Sequence, residues 1–268
     1  MGKRIRLDAE LVRRGLARSR QHAAELVSAG RVSVAGRPAI KPATQVALAE
    51  PIKVTDEPEG PRFASRGGHK LDAALTIFCS AGLRVTGRRC LDAGASTGGF
   101  TDVLLRRGAA HVAAVDVGYG QLAWSLRTDP RVSVHDRTNV RDIDADTIGG
   151  PVDLVTADLS FISLRLVLPA LAGVLAPDAD LVPMVKPQFE VGRDRLGHGG
   201  VVREKVLRAD AVLQVASCAW GLGLGMAGVT ASPLPGPSGN VEFFLWLRHG
   251  AAQPDPGLIE RAVAEGPQ

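Results

Sequence analysis

The chain has 268 residues, 45% of them hydrophobic, and a formal charge of +4. That length holds one sizeable α/β core and a small second domain, and no apolar run approaches the roughly 18 residues that span a bilayer. Cys79, Cys90 and Cys218 are too few and too scattered for a disulfide framework or a zinc site, and the basic residues 1–6 lead into charge rather than an apolar signal core, so a reduced, cytoplasmic protein with no metal and no membrane partner is expected.

The charge is unevenly spread. Residues 1–41 carry ten Lys and Arg against Asp8, Glu10 and Glu25, a formal +7, which leaves −3 for the remainder. Such a concentration favours a polyanionic partner, or is a solvated face. Leu11, Val12 and Leu16 recur at helical spacing and Gly15 stands near the helix end. Ser19 is a candidate N-cap for a second helix through Ala23, Leu26 and Val27, ending at Gly30. Val32-Ser33-Val34, a turn at Ala35-Gly36 and a return through Ile40 predict a hairpin, with further short strands over residues 46–54.

This stretch resembles the S4-type RNA-binding domain in Arg6-Leu7-Asp8, Leu11, Gly15, Ser19-Arg20, Ala23, Leu26, Gly30-Arg31-Val32-Ser33-Val34 and Lys41-Pro42. The resemblance implies phosphate and groove contacts to structured RNA, with Arg6, Arg14, Arg18, Arg20, Arg31 and Lys41 as the RNA-binding residues. Arginine suits the task because its planar fork can grip a phosphate with two bonds. Asp56-Glu57-Pro58-Glu59-Gly60-Pro61 is acidic, rich in Pro and Gly and without periodicity, so it reads as linker. The expected boundaries are an S4-type α+β domain over 1–59, a linker over 60–66 and a second domain over 67–268.

In that second domain, Leu71, Ala74, Leu75 and Phe78 predict an amphipathic helix with Lys70 near its start. Strand-like runs follow at 89–93, 111–116, 132–135, 152–158, 179–186, 226–231 and 241–247, with helical stretches between most of them, including 162–175 and 206–221. The alternation predicts a doubly wound, mostly parallel, seven-stranded Rossmann-like sheet. The last strand is expected to be antiparallel, since only a Pro/Gly-rich loop precedes it. Ligands of such sheets bind at the carboxyl ends of the strands.

At the end of the first run stands Asp92-Ala93-Gly94-Ala95-Ser96-Thr97-Gly98-Gly99-Phe100. Its small side chains let backbone N–H groups approach a ligand, and the following helix offers its positive end. The spacing Gly-x-x-x-Gly-Gly differs from the Gly-x-Gly-x-x-Gly that cradles a pyrophosphate. It suits a ligand without one, S-adenosylmethionine (SAM) first, although glycine turns between strand and helix occur in many α/β folds. Asp116, followed by Val117, closes the second strand where an acid can accept both hydroxyls of a ribose. Asp136 after the third strand is either a contact to the adenine amine or a solvated loop residue.

Four charged residues fall at element ends that one side of the sheet would gather: Lys70, Asp158, Lys186 and Glu242. Asp158-Leu159-Ser160-Phe161 lacks the prolines of the Asn/Asp-Pro-Pro-aromatic run that holds an exocyclic base nitrogen, and no cysteine stands in a Pro-Cys context for attack on a base carbon. The acceptor is therefore expected to be an oxygen. Lys186 closes the apolar Leu181-Val182-Pro183-Met184-Val185; burial and a second ammonium nearby would favour its neutral, basic form. The alternative is a strand-end lysine in a salt bridge with Asp158.

Lys-Asp-Lys-Glu in this order and on these elements resembles the tetrad of FtsJ-like ribose 2′-O-methyltransferases. With the S4 domain in front, and with Ser65-Arg66-Gly67-Gly68-His69-Lys70, Lys186-Pro187-Gln188-Phe189-Glu190 and Gly239-Asn240-Val241-Glu242, the chain resembles the TlyA family, the haemolysin-A-like ribosomal RNA methyltransferases. Some actinobacterial relatives place a Trp before the Ser-Arg pair, where this chain has Phe63. The resemblance implies SAM as cofactor, bound by Asp92, Gly94 to Phe100, Asp116, Val117 and Asp136. It implies ribosomal RNA in ribosomal subunits as partner, cytidines of 16S and 23S RNA as targets, and Lys70, Asp158, Lys186 and Glu242 as catalytic residues. A monomer is assumed. The alternatives are a catalytically silent RNA-binding or ribosome-assembly factor, and a pore-forming haemolysin, for which barrel-like alternation is lacking.

Overall fold

The computed structural model of the chain describes residues 4–28, 30–55 and 63–267. Residues 1–62 and 63–268 form two compact units. Residues 60–62 of the expected 60–66 linker lie outside the described residues.

In the first unit, α1 (Leu7–Arg13) and α2 (Arg20–Ser28) pack through Leu7, Leu11, Ala23, Leu26 and Val27. A three-stranded antiparallel sheet places β2 (Val32–Val34) between β3 (Arg37–Pro38) and β5 (Ile52–Val54). Ala35 and Gly36 both take positive φ, 49° and 77°, the twist that a tight hairpin turn requires. The sequence pattern misses β1 (Arg4–Arg6), which pairs with β4 (Gln45–Ala47). Three residues are too few to show a period.

The second unit begins with Phe63, whose ring lies against Gly68 and beneath the Arg106 guanidinium, 5.1 Å from its centroid. Helix α3 (Arg66–Ser80) follows, then β6 (Arg89–Ala93), α4 (Gly99–Arg106), β7 (His111–Val115), α5 (Trp124–Arg127), β8 (Val132–His135) and β9 (Val152–Ala157). The chain continues through α6 (Leu168–Gly173), β10 (Leu175–Val185), α7 (Pro187–Glu190), α8 (Lys205–Gly221), β11 (Leu224–Ala231), β12 (Phe243–His249) and α9 (Pro256–Glu265). The seven strands lie in the order β11-β12-β10-β9-β6-β7-β8. All pairings from β10 to β8 are parallel, and β12 is antiparallel to both its neighbours, as expected for a strand reached by a short loop. Alternate residues of each strand feed two cores. Leu71, Leu75, Phe78, Val103 and Leu104 from α3 and α4 cover one face; Leu168, Leu171, Val212, Val215, Ile259 and Val263 from α6, α8 and α9 cover the other.

Several bounds differ from the sequence pattern, three of them near the ends of elements that carry the site or its support. The helix expected over 162–175 starts at Leu168, because Pro169 fits only a first turn, and Leu164–Leu166 forms a separate 3-10 turn. Strand β10 starts earlier, at Leu175, with a register break before Asp180. Strand β12 starts at Phe243, so Glu242 stands just ahead of it. Among the described residues, no helix is long and apolar enough to cross a membrane.

Candidate active site

The turn from β6 into α4 runs through three left-handed residues, Gly94 (φ 88°), Ser96 (φ 48°) and Gly98 (φ 98°). Gly94 is the position where a side chain is excluded outright. A Cβ there would lie 2.5 Å from the carbonyl oxygen of Asp158, so only glycine lets the turn lie against the end of β9. The Gly94 and Ala95 N–H groups donate to the Val115 carbonyl, which seats the turn beside β7. Ser96 and Thr97 are exposed, whereas Ala95, Gly98, Gly99 and Phe100 are buried, Phe100 beside Phe244 at 6.0 Å between ring centroids.

Asp116 stands one residue beyond β7, its two oxygens accepting from the N–H groups of Ser96 (2.9 Å) and Gly118 (2.7 Å). Each oxygen keeps lone-pair capacity for a hydroxyl. Val117 beside it is 70% exposed. Asp136 pairs with Arg127 at 3.0 Å and also accepts from the Gly120 N–H. Asp92 is fully buried: Oδ2 accepts from the Thr101 hydroxyl at 2.6 Å, while Oδ1 has no partner among the described residues. Burial, with Asp158 and Asp116 nearby, pushes its carboxyl up to about 7 against the opposing Thr101 bond.

Two lysine–carboxylate pairs stand at the same end of the sheet. Lys70 on α3 donates to Glu242 at 2.6 Å, and both are buried. Lys186, one residue past β10, meets Asp158, one residue past β9, at 2.6 Å and also donates to the Ser160 hydroxyl at 2.9 Å. A Cβ on Gly67, three residues before Lys70, would lie 3.6 Å from Asp158 Oδ2, so the start of α3 abuts the second pair. Gly236 leaves room for Glu242 in the loop above it; a Cβ there would lie 2.5 Å from Glu242 Oε1. All four expected residues are thus drawn into two pairs at one rim.

In the first unit, Arg6 and Arg20 both pair with Asp8, at 2.8 and 3.1 Å, leaving their side chains 47% and 59% exposed. Arg31 donates to the Thr55 carbonyl, and Arg18 and Lys41 are exposed. Arg14 differs. Its guanidinium bonds Glu10 (2.7 Å) and the carbonyls of Glu50 (2.9 Å) and Leu48 (2.8 Å), so its donors are turned inward and hold the unit together.

Sequence comparison bears on both units. The S4 domain family matches residues 5–50, and the FtsJ-like methyltransferase family matches residues 63–249. The 16S/23S rRNA (cytidine-2′-O)-methyltransferase TlyA of Mycobacterium tuberculosis is 61% identical over 275 residues, covering 100% of both chains. The chain belongs to the TlyA family. Another member, the 23S rRNA (cytidine-2′-O)-methyltransferase TlyA of Campylobacter jejuni, is 30% identical over 74% of this chain and 81% of its own. A solved structure from Streptococcus thermophilus, carried under a haemolysin name, aligns with a TM-score of 0.76 at 38% identity, over 99% of this chain and 96% of that one.

Two residues beside this TlyA-family site escaped the sequence pattern. Ser160 is the second acceptor for Lys186. Glu190, buried, accepts from the Ser163 hydroxyl at 2.6 Å and the Leu164 N–H at 2.7 Å. The signal for Glu190 was its place in Lys186-Pro187-Gln188-Phe189-Glu190, four residues after the lysine.

Proposed function

We propose that this chain is a SAM-dependent ribosomal RNA methyltransferase that modifies the 2′-oxygen of cytidine ribose in 16S and 23S RNA, as the names of its relatives describe for them. The observation that carries the reading is the pair of lysine–carboxylate contacts at the rim where the glycine turn and Asp116 also lie. The residues at that rim fit the cofactor. The turn is bare of side chains where Gly94 meets β9, Asp116 offers its oxygens to a ribose, and Asp92 Oδ1 is a buried acceptor or donor without a partner among the described residues. The glycine turn, Asp116, Val117 and Asp136 would hold it. SAM, when bound, supplies a methyl group already activated on a sulfonium.

The chain's own residues then have two tasks. Lys186 Nζ removes the proton of the 2′-hydroxyl as that oxygen attacks, and Asp158 orients the amine. Lys70 and Glu242 neutralise one another and place the ribose, so that much of the acceleration comes from positioning. Phe161 is 92% exposed with a left-handed φ of 64°, one residue after the serine that touches Lys186. An aromatic face held outward there suits stacking on an unpaired base. In the first unit, Arg6, Arg18, Arg20, Arg31 and Lys41 supply the RNA grip; the inward bonds of Arg14 give it a structural duty. We place the boundary between grip and chemistry at the 60–66 linker.

Transfer of tritium from labelled SAM to isolated ribosomal subunits tests the reading. Lys186→Ala should lower the rate by about 10²–10⁴-fold, the usual worth of a general base, with SAM affinity by calorimetry within a few-fold of wild type. Near-normal transfer by that variant would remove the proposed base. SAM binding without transfer by the wild-type chain would favour a silent RNA-binding factor.

A further inference from the structure

We infer that Ser160 is a positioning residue for Lys186: its hydroxyl fixes which way the amine lone pair points. The inference rests on the reading of Lys186 as base. An amine nitrogen has four tetrahedral positions. On Lys186 Nζ one is the bond to Cε, one faces Asp158 Oδ1 at 2.6 Å and one faces Ser160 Oγ at 2.9 Å. A single position is left. In the neutral amine both N–H bonds are held by acceptors, and the lone pair occupies that fourth direction. After it takes the hydroxyl proton, the new N–H points the same way. With Asp158 as sole acceptor, the lone pair would be divided between two directions.

The hydroxyl has no competing structural duty. Ser160 is exposed, and among the described residues its side chain bonds only Lys186. The segment that carries it is secured by other groups. The Asp158 N–H donates to the Ala93 carbonyl at 3.0 Å, and Glu190 clamps Ser163 and Leu164 at the far end. Glu190 lies on α7, which follows Lys186 directly, so the clamp and the lysine share one short stretch of chain. Between the two anchors, Phe161 is held in a left-handed conformation that a residue with a Cβ adopts only when its surroundings impose it. A segment tied at both ends presents its hydroxyl at a fixed place, the condition under which one hydrogen bond can aim another group.

The test uses the full chain and ribosomal subunits, with Ser160→Ala, Ser160→Thr and Lys186→Ala measured together. Ser160→Ala is expected to lower kcat about tenfold, within the roughly hundredfold that small misplacements can cost. KM for subunits, SAM affinity and the melting temperature should stay at wild-type values, and Ser160→Thr should recover most of kcat by restoring the hydroxyl. A raised KM with unchanged kcat in Ser160→Ala would overturn the inference in favour of an RNA contact, and a threonine as slow as the alanine would overturn it in favour of local packing. If Lys186→Ala is inactive while Ser160→Ala matches wild type, the positioning role alone fails. If Lys186→Ala stays active, it is the base that has been misassigned.

Discussion

Both units pair acids with bases, but the S4 pairs bury only the acid, whereas a pair at the transferase rim buries both members. In the S4 unit the acid goes inside and the arginines stay partly in water. Glu10 is fully buried between Arg13, 54% exposed, and Arg14, 22% exposed. At the transferase rim the cation is buried as well: the Lys70 side chain is 8% exposed and that of Glu242 1%. The first arrangement anchors arginine stems while part of each guanidinium still faces outward. The second removes both charges from water, where each depends on the other. The proposed RNA grip and the proposed transfer site thus pair cations with carboxylates in different ways.

The sharpest way to break this contrast is to remove one partner of each pair. Glu242→Ala would strand the Lys70 ammonium and is expected to cost about 3–5 kcal/mol of stability, with most of the loss recovered in Lys70→Met/Glu242→Leu. Urea unfolding of the single and double variants measures it; equal stability of the single variant and wild type would mean that the pair is not dry. In the S4 unit, Arg13→Ala should cost little, since its exposed guanidinium is screened and Arg14 remains on Glu10.

Asp116→Ala comes next in size. Loss of a charged hydrogen bond to the cofactor ribose is expected to weaken SAM binding by about 1–3 kcal/mol, read by calorimetry. Unchanged affinity would move the cofactor away from this rim.

The fold was legible because its signals are local and repeated: strand-like runs alternating with helices, and small residues where β6 turns into α4. The tetrad was legible as four charges at element ends and through resemblance, but its pairing was not, since Lys70 and Glu242 are 172 positions apart and no spacing rule joins them. Ser160 was not legible at all. Its importance lies in which nitrogen it faces, and that follows from how the ends of β9 and β10 are packed. The bonds of Arg14 were hidden for the same reason. One of a run of arginines looks like surface charge until the carbonyls of Leu48 and Glu50 are seen to accept from it.

The contrast also predicts opposite responses to pH. The arginines beside Asp8 and Glu10 hold both carboxyls down, to about 2. A lowered carboxyl stabilises the fold above its unfolded value near 4 and loses that contribution as pH falls towards 2. Asp92 has the reverse sign. Burial raises it to about 7, so its contribution is complete below about 4 and is lost as pH rises through 7. Asp92→Asn should therefore flatten the decline in stability between pH 5 and 8, measured by urea midpoints. A decline as steep as that of wild type would show that Asp92 ionises without penalty.

The smallest effect separates the arginines themselves. Arg18→Glu, at an exposed arginine, should weaken RNA binding and reduce the salt slope by about one counterion, leaving the melting temperature close to wild type. Arg14→Glu should instead lower the melting temperature, because it sets a second acid beside buried Glu10. Equal behaviour of the two in both measurements would erase the distinction between grip and scaffold.

Asn240 sets the terms for redesigning the loop over residues 192–200. Its side chain accepts from the Val202 N–H at 2.9 Å and donates to the Gly200 carbonyl at 3.0 Å, two residues before Glu242. An engineer must therefore treat the loop as clasped at Asn240 and tied again at Arg195, which donates to the Val191 carbonyl at 2.8 Å and pairs with Asp210 at 3.0 Å. A graft that replaces residues 200–202 must reproduce the clasp, or the change will travel through Asn240 into the carboxylate that steadies Lys70.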